Sequence, residues 1–240
     1  MANPPTDANS TDRVLGTFCT LGVEALEMLA RPPLGALLLD AQHGVWTLET
    51  LREGLRAAEA CGVRPFIRLP VVGNWMIEGV LDAGCFDLII PMVNSAQPVR
   101  DTVQACYYPP IGQRSQSTCR ASIRFGPDYR KTFNNRLRLW VMIEHVDAVN
   151  QIDSIAAVPG LSGCFIGPSD LASSLGERTG ELDTHIDRAR AACQAAGKLT
   201  AITAPNVTKA RQRFEQGFNA VFVSTDRHML TQAIDAMGRE

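Results

Sequence analysis

The chain has 240 residues, of which 45% are hydrophobic and 20% are charged, and its formal net charge is -2. This length suits one α/β barrel and is short for two ordinary domains. The near-neutral charge argues against a nucleic-acid-binding protein, because such proteins usually carry a concentrated basic surface, and no apolar run reaches the roughly 20 residues that a transmembrane helix needs.

Residues 1–12 are polar and lack the apolar segment of a secretory signal, so we expect a disordered leader there. After it, eight short apolar segments bounded by Gly, Pro or Asn are predicted to be strands. Most are too continuously apolar for a half-exposed sheet, which is typical of parallel strands that are buried on both faces. The predicted strands cover residues 14–18, 35–42, 64–70, 86–93, 137–144, 160–167, 198–204 and 219–225.

Helical patterns alternate with these strands. The pattern over 47–62 opens with a threonine cap at Thr47 and ends at Gly62, a suitable residue for a helix C-terminus. Eight strands alternating with helical segments predict a closed (β/α)8 TIM barrel, as a single domain over residues 13–240. The alternative is an open doubly wound sheet, which is weakened because no GxGxxG motif follows the first strand. The other predicted helices cover 74–84, 146–160, 208–217 and 226–238.

Two connections are longer than a barrel needs. One spans 107–136 and contains a predicted short helix over 127–136, and the other spans 167–185 after the sixth strand. Loops of this length in compact domains are usually functional or disordered. We expect both to follow the C-terminal end of a strand, the face where barrel enzymes place their active sites.

The cysteines are scattered singly, and no CxxC pair is present. A disulfide framework or a structural zinc site is therefore not expected. We expect reduced, mostly buried thiols in a cytoplasmic protein. The seven cysteines are Cys19, Cys61, Cys85, Cys106, Cys119, Cys164 and Cys193.

Two acidic residues follow neighbouring predicted strands. Glu144 closes the fifth strand and Asp170 comes just after the sixth, so we expect both carboxylates at one mouth of the barrel. Close carboxylates repel unless one is protonated or both bind a cation, and such a pair with open water positions suits Mg²⁺ or Mn²⁺. The alternative is that each acid pairs with an arginine, or that Asp170 caps the following helix. Gly167, Pro168 and Ser169 place small residues before the start of that helix, and backbone N–H groups there are a candidate site for a substrate carboxylate.

Three further polar residues stand at strand ends. Asp40 and His43 follow the second strand, where a carboxylate bonded to one imidazole nitrogen would leave the other free for proton transfer. The alternative is an ordinary pair of residues in a surface loop. Arg68 ends the third strand and suits a substrate carboxylate or a developing enolate oxygen. A salt bridge to a neighbouring acid is the alternative for Arg68, and both contacts can hold together.

The scarcity of lysine argues against one class of mechanism. An aldolase that forms a Schiff base needs a lysine inside the barrel. Lys131 lies in the long connection, Lys198 starts the seventh strand at the opposite mouth, and Lys209 lies in a helix, so none is expected inside. A carbanion next to a carbonyl would then need a metal ion.

A set of motifs follows in order along the chain: D-x-x-H at 40–43, Arg68 before Leu-Pro, VLDAG at 80–84, LIIPMVNSA at 88–96, YPPIGQR at 108–114, IE at 143–144 and FIGPSDLASSLG at 165–176. Each motif alone is weak, but the ordered set is specific. Together they resemble the HpcH/HpaI aldolase family, which comprises metal-dependent class II aldolases that use pyruvate or hydroxypyruvate. The similarity runs from residue 14 to the end of the chain.

The resemblance implies a reversible aldol reaction, in which the enolate of a 2-keto acid, pyruvate or hydroxypyruvate, adds to an aldehyde. It implies that Glu144 and Asp170 hold a divalent metal, Mg²⁺ or Mn²⁺, with Co²⁺, Ni²⁺ and Zn²⁺ as alternatives. Arg68 would contact the keto and enolate oxygen. Asp40 and His43 would act together to move a proton or orient the water that does so.

The resemblance also implies that Ser169 contacts the substrate carboxylate and that Asp82 lies at a subunit interface near the site. The expected assembly is a homohexamer, a dimer of trimers with exchanged C-terminal helices. Three residues depart from the family pattern: Gln42 replaces a glutamate, Met142 a glutamine and Ser117 a glycine. These departures leave the donor and aldehyde preferences open. Two other functions stay as alternatives, a lyase for CoA or citryl-type esters on the same barrel and a non-catalytic barrel that binds a small carboxylate.

Overall fold

A computed structural model describes residues 13–71 and 74–238 of the chain, so the predicted leader at 1–12 lies outside the described residues. Eight parallel strands form a closed barrel in which each strand pairs with the next and the last pairs with the first. The predicted (β/α)8 barrel and its eight strands are confirmed, and the open doubly wound alternative is wrong. The strands are β1 (Val14–Cys19), β2 (Ala36–Asp40), β3 (Arg64–Arg68), β4 (Asp87–Ile90), β5 (Arg138–Ile143), β6 (Gly163–Ile166), β7 (Leu199–Ala204) and β8 (Ala220–Thr225).

Helices surround the barrel, and none of those described combines the length and apolar character of a membrane span. A 3₁₀ helix over Gly176–Glu181 lies between two of them. The helices are α1 (Val23–Leu29), α2 (Leu48–Cys61), α3 (Asn74–Ala83), α4 (Ala96–Cys106), α5 (Arg120–Phe125), α6 (Tyr129–Arg136), α7 (Val146–Asn150), α8 (Ile152–Ala156), α9 (Pro168–Leu175), α10 (Leu182–Ala195), α11 (Val207–Glu215) and α12 (Asp226–Met237).

The predicted limits of α2 are confirmed by the contacts at its ends. The side chain of Thr47 accepts a hydrogen bond from the backbone N–H of Thr50, and Gly62 takes the left-handed conformation with φ 69°. That conformation favours glycine because it has no Cβ. The prediction of one helix over 146–160 is wrong, because Gln151, with φ -104° and ψ 12°, divides the segment into α7 and α8.

We expected the long connection at 107–136 to follow a strand directly, and it does not. Helix α4 comes between β4 and this connection and returns the chain to the N-terminal side of the barrel before the connection begins. The sequence analysis missed α4, whose Val99, Val103 and Cys106 are buried. The segment 167–185 does follow the C-terminal end of β6, and it holds α9 and the 3₁₀ helix.

The barrel interior is filled with side chains. Phe222 lies at its centre, with its ring 5.1 Å from that of Phe66, 5.4 Å from that of Phe165 and 6.0 Å from that of Phe18. A larger apolar cluster fills the space between the strands and the helices. Because the interior is packed, a substrate can be bound only at a mouth of the barrel, as is usual for this fold.

The charged groups at the N-terminal mouth form buried contacts with one another that stabilise the fold. Asp87, at the start of β4, is buried and accepts hydrogen bonds from Arg64 Nε at 2.8 Å and from Trp140 Nε1 at 3.1 Å. Breaking one partner of such a buried ion pair leaves an uncompensated charge, which is strongly destabilising. The C-terminal mouth is therefore where we expect the chemistry.

The close approach of strands predicts the effect of one substitution. A methyl group at Gly163 would lie 2.5 Å from Trp140 Cζ3 and 2.8 Å from the carbonyl oxygen of Leu199. We expect Gly163→Ala to lower the free energy of unfolding by about 1–3 kcal/mol, because the rigid indole and backbone cannot easily move. Gly180→Ala is the control, because nothing lies within 4 Å of its added methyl group. Urea unfolding measures both, and equal stabilities for the two variants would contradict the prediction.

Candidate functional site

The centre of the C-terminal mouth is a buried ion pair between β2 and β3. Asp40 and Arg68 are the last residues of these strands and are direct neighbours in the sheet register. Arg68 Nε donates to Asp40 Oδ1 at 2.8 Å, and Nη2 donates to Oδ2 at 2.6 Å. Arg68 is only 6% exposed and Asp40 only 2%. A bidentate pair of this kind fixes the plane of the guanidinium as well as neutralising it.

The ion pair corrects the expected partnership of Asp40 with His43. Asp40 Oδ1 accepts from the backbone N–H of Gln42 at 3.1 Å and of His43 at 3.4 Å. Within the described part of the chain, no hydrogen bond joins the Asp40 carboxylate to the His43 imidazole, which is exposed at the rim. The salt-bridge alternative for Arg68 is confirmed, and Asp40 orients the guanidinium and the turn after β2.

One edge of the Arg68 guanidinium faces weak partners. Its Nη1 is 3.6 Å from Met142 Sδ, and its carbon lies 5.3 Å from the centre of the Phe18 ring. A thioether is a weak acceptor, and guanidinium has five N–H donors of which Asp40 occupies two. This edge therefore retains strong donors for an anionic oxygen.

Glu144 follows β5 directly and is 3% exposed. Its Oε1 accepts a hydrogen bond of 2.6 Å from the backbone N–H of Met92, in the loop after β4. Met92 takes the left-handed conformation with φ 56°, which is uncommon for a residue other than glycine. The sequence analysis missed this contact, because nothing about a methionine signals that its N–H will orient a carboxylate.

The groups that shift the pKa of the Glu144 carboxyl include three of the expected site residues. Burial is the main cause that raises the pKa of the Glu144 carboxyl, and the nearby Asp170 raises it further. The Met92 N–H bond, the Arg68 guanidinium and His43 lower the same pKa. Groups from β2, β3, β5 and β6 thus act on one carboxyl at one mouth of the barrel.

Helix α9 supplies the remaining candidates. Gly167 is its N-cap residue, and Asp170 is exposed in its first turn, so Asp170 does not cap the helix. The N–H of Gly167 donates to the carbonyl of Ile143 at 3.1 Å, and Pro168 has no N–H. Since the first-turn amides of a helix have no intrahelical acceptor, the N–H groups of Ser169 and Asp170 are the ones left for a carboxylate.

The donors present fit a divalent cation of the magnesium type. Neither Glu144 nor Asp170 forms an ion pair with another described side chain. A methyl group at Gly167 would lie 3.3 Å from Glu144 Oε2, so the glycine keeps space beside that oxygen. The described residues contain no group of three or more His, Cys, Asp or Glu side chains that could hold a metal. Two carboxylates completed by water and substrate oxygens suit Mg²⁺ or Mn²⁺ better than Zn²⁺, which usually takes at least three protein ligands.

None of the three lysines lies in the interior of the barrel. Lys198 Nζ donates to the carbonyl of Leu161 at 2.9 Å on the N-terminal side of β7. Lys131 is exposed in α6 and pairs with Asp128, and Lys209 lies in the first turn of α11. The expectation that no lysine lies inside the barrel is confirmed.

The structure does not bring Asp82 to the other candidates within one chain. Asp82 lies in the last turn of α3, which runs from the C-terminal mouth towards the N-terminal side. Its Oδ1 accepts from Nη2 of the buried Arg114 at 2.6 Å. Arg114 is also packed between the rings of Tyr108 and Phe133. In the single chain, Asp82 therefore anchors the connection after α4.

Comparisons with known proteins point to one family. The model of the HpcH/HpaI aldolase/citrate lyase family matches residues 24–233. The chain is 35% identical over 215 residues to a hydroxypyruvate/pyruvate aldolase of Roseovarius nubinhibens, covering 87% of this chain and 84% of that protein. It is 37% identical over 209 residues to a 2-keto-3-deoxy-L-rhamnonate aldolase of Salmonella dublin, covering 83% and 78%. A crystal structure of an HpcH/HpaI aldolase/citrate lyase family protein from Burkholderia cenocepacia superposes with a TM-score of 0.88 at 30% identity, covering 95% and 94% of the two chains.

The buried carboxyl of Glu144 predicts a pH-dependent gain of stability on its removal. Because its pKa is raised in the fold, the carboxyl costs stability when the pH rises through that pKa and the buried group ionises. Glu144→Gln keeps an acceptor for the Met92 N–H but carries no charge. In excess chelator at pH 8, we expect it to raise the free energy of unfolding by about 1 kcal/mol, or roughly 2–4 °C in melting temperature.

The gain should vanish below the ordinary pKa of a glutamate, about 4.3, where the carboxyl is protonated in both the folded and the unfolded chain. Thermal unfolding at several pH values measures it, with the exposed Glu177→Gln as the control that shows no such trend. A Glu144→Gln protein that is less stable than the wild type at pH 8 would contradict the argument.

Proposed function

The chain belongs to the HpcH/HpaI aldolase/citrate lyase family and is a carbon–carbon lyase, and from this membership and the site we propose how it acts. It catalyses the reversible aldol addition of a pyruvate-type 2-keto acid, pyruvate or hydroxypyruvate, to an aldehyde. The observation that carries the proposal is the guanidinium of Arg68, which is held rigidly by Asp40 and keeps donors free beside Glu144.

The 2-keto acid would bind with its carboxylate at the N–H groups of Ser169 and Asp170 and its keto oxygen at Nη1 of Arg68. When the C3–H bond breaks, its electron pair becomes the enolate, and negative charge develops on the keto oxygen. A fixed guanidinium stabilises that charge without reorganising, which is the usual source of large rate effects. Arg68 is positioned before the charge forms because the ion pair with Asp40 sets its plane.

His43 is the proposed proton carrier. Its exposed imidazole lies at the rim, where it can take the C3 proton of the keto acid and exchange it with water. In the forward direction the C3 carbon forms a bond with the aldehyde carbon, and the aldehyde oxygen takes up a proton. In the reverse direction the same group removes the proton from that hydroxyl. Asp40 contributes by accepting from the backbone N–H of His43.

Glu144 and Asp170 are the proposed ligands of a divalent cation, Mg²⁺ or Mn²⁺. When bound there, the cation would supply Lewis-acid polarisation of the keto acid oxygens. The Met92 N–H bond leaves Glu144 Oε2 as the oxygen that faces this position. The names of relatives at 35% and 37% identity favour aldol chemistry over the CoA or citryl-type alternative.

We also propose a homohexamer in the cytoplasm. Leu230, Ile234 and Met237 on α12 are 56%, 66% and 78% exposed, and contiguous apolar surface of this kind usually marks an interaction site. The position of Asp82 at a subunit interface near the active site remains part of the proposal. All seven cysteines are free thiols, which suits a reducing compartment. Light scattering after size exclusion should give six times the 26.1 kDa chain mass, and a monomer at micromolar concentration would contradict the assembly.

The test of the proposed reaction is deuterium incorporation into the methyl group of pyruvate in D₂O, followed by mass spectrometry. Exchange requires enolisation, so we expect it in the presence of Mg²⁺ or Mn²⁺ and not after exhaustive chelation. Arg68→Lys should lower the exchange rate by at least about 100-fold, because an ammonium cannot keep both the bidentate pair and the free donor edge. Glu144→Ala should abolish Mn²⁺ binding measured by calorimetry.

The matched control is Arg64→Lys, on the same strand at the opposite mouth. It also weakens a buried pair, that with Asp87, so it should lower stability but leave the exchange rate unchanged. No exchange with any divalent ion would reject the proposal in favour of a carboxylate-binding barrel. A requirement for CoA would favour the ester lyase instead.

A further inference from the structure

We propose that Asp226 and Arg227, the first two residues of α12, are positioning residues that hold His43 in place for proton transfer. This inference rests on the function proposed above for His43. It concerns a part of the barrel that the mechanism has not used, the junction of the loops after β8, β1 and β2.

Asp226 is a buried carboxylate that makes only hydrogen bonds. It is 4% exposed, and no ion pair involves it among the described residues. Its Oδ2 accepts from the N–H of Thr20 at 2.6 Å and of Leu21 at 2.9 Å, and its Oδ1 accepts from Thr20 Oγ1 at 2.6 Å and from the N–H of Arg227 at 2.9 Å. A buried carboxylate is tolerated when its lone pairs are satisfied in this way. Asp226 therefore ties the start of α12 to the loop after β1.

The loop after β1 in turn supports the turn that carries His43. The carbonyl of Thr20 accepts from the N–H of Val45 at 3.0 Å, and Trp46 Nε1 donates to the carbonyl of Cys19 at 2.7 Å. The turn also packs directly on Thr20, because a methyl group at Gly44 would lie 3.0 Å from Thr20 Cα. The backbone on the C-terminal side of His43 is thus fixed through Thr20 to Asp226.

Arg227 reaches His43 itself. Its Nη1 donates to the carbonyl oxygen of His43 at 3.2 Å, although 184 positions separate the two residues. Elsewhere in the same turn, Gly44 donates its N–H to the carbonyl of Asp40 at 2.9 Å. In the part of the chain that the structure describes, no hydrogen bond holds the imidazole of His43. The location of the ring therefore depends on its backbone, which Arg227 and Asp226 hold from the side of β8.

This arrangement predicts a particular pattern of kinetic effects. Displacing His43 should slow proton transfer without weakening the binding of the keto acid or the metal, because Arg68, Glu144 and Asp170 belong to β3, to the end of β5 and to α9. Small displacements of a proton-transfer group can cost up to about 100-fold in rate. The expected signature is a lower kcat at an unchanged KM for pyruvate.

The experiment compares Arg227→Gln and Arg227→Lys in the wild-type and His43→Ala backgrounds, with pyruvate deuteration as the rate. In the wild-type background, Arg227→Gln should lower the rate about tenfold, whereas Arg227→Lys, which keeps a donor for the carbonyl, should stay within about threefold. In the His43→Ala background, Arg227→Gln should cause no further loss, because residues that act through one another are not additive. Asp226→Asn, which loses an acceptor for one N–H, should give the same pattern as Arg227→Gln.

Equal losses from Arg227→Gln in both backgrounds would overturn the proposal, since Arg227 would then act without His43. An Arg227→Gln enzyme as fast as the wild type would also overturn it. If Asp226→Asn fails to fold, the Arg227 variants carry the test.

If the wild-type protein shows no exchange, the proposed function fails and a second readout decides the present inference. The NMR signal of the His43 ring, assigned among four histidines by His43→Ala, should then shift in Arg227→Gln and not in Arg227→Lys. An unshifted signal would reject the inference.

Discussion

The site depends on the ion pair between Asp40 and Arg68. A guanidinium that is 6% exposed needs a partner, because removing one member of a buried pair leaves a charge without compensation. The partner comes from the neighbouring strand in direct register, so the barrel itself brings the two charges together. Since Asp40 occupies Nε and Nη2, the guanidinium has one orientation, and its Nη1 contacts the thioether of Met142, a weak acceptor.

Unlike Arg68, the buried carboxylate of Glu144 has no partner of opposite charge among the described side chains. Its carboxylate receives one backbone N–H bond, from Met92, but no guanidinium in the described part of the chain pairs with it, and burial raises its pKa. The fold therefore neutralises the cation at the mouth and leaves the anion without an equal partner. A divalent cation would remove this imbalance, and the protein gives up some stability in its absence. Asp40 and Glu144 therefore differ in role. Asp40 neutralises Arg68 because it lies on the neighbouring strand in register, whereas Glu144 has no such neighbour in the described register of its strand.

The sequence predicted the strands, the barrel and the residues of the mouth, because apolar strands and polar strand ends are local signals. It did not predict which polar groups bind each other. Asp40 was assigned to His43, three residues away, but the register of β2 and β3 gives it to Arg68. The left-handed backbone of Met92 is unpredictable for the same reason, because its N–H binds the distant Glu144. The division of α7 from α8 at Gln151 is a local change of the backbone that apolar spacing does not reveal.

The three departures from the family pattern differ in whether they contact residues of the proposed mechanism. Ser117 lies in the connection after α4, where its backbone carbonyl accepts a hydrogen bond of 3.0 Å from Arg130 Nη2. Gln42 lies two residues after Asp40, and its backbone N–H donates to Asp40 Oδ1 whatever its side chain is. Its side-chain Oε1 is buried without a hydrogen-bond partner among the described residues. The side chain of Met142 contacts a group of the proposed mechanism, because its Sδ lies 3.6 Å from Arg68 Nη1. A glutamine there would offer an amide oxygen that competes with the substrate for this donor. With the thioether in its place, the proposed contact of the keto oxygen with Nη1 would meet no strong competitor from this position.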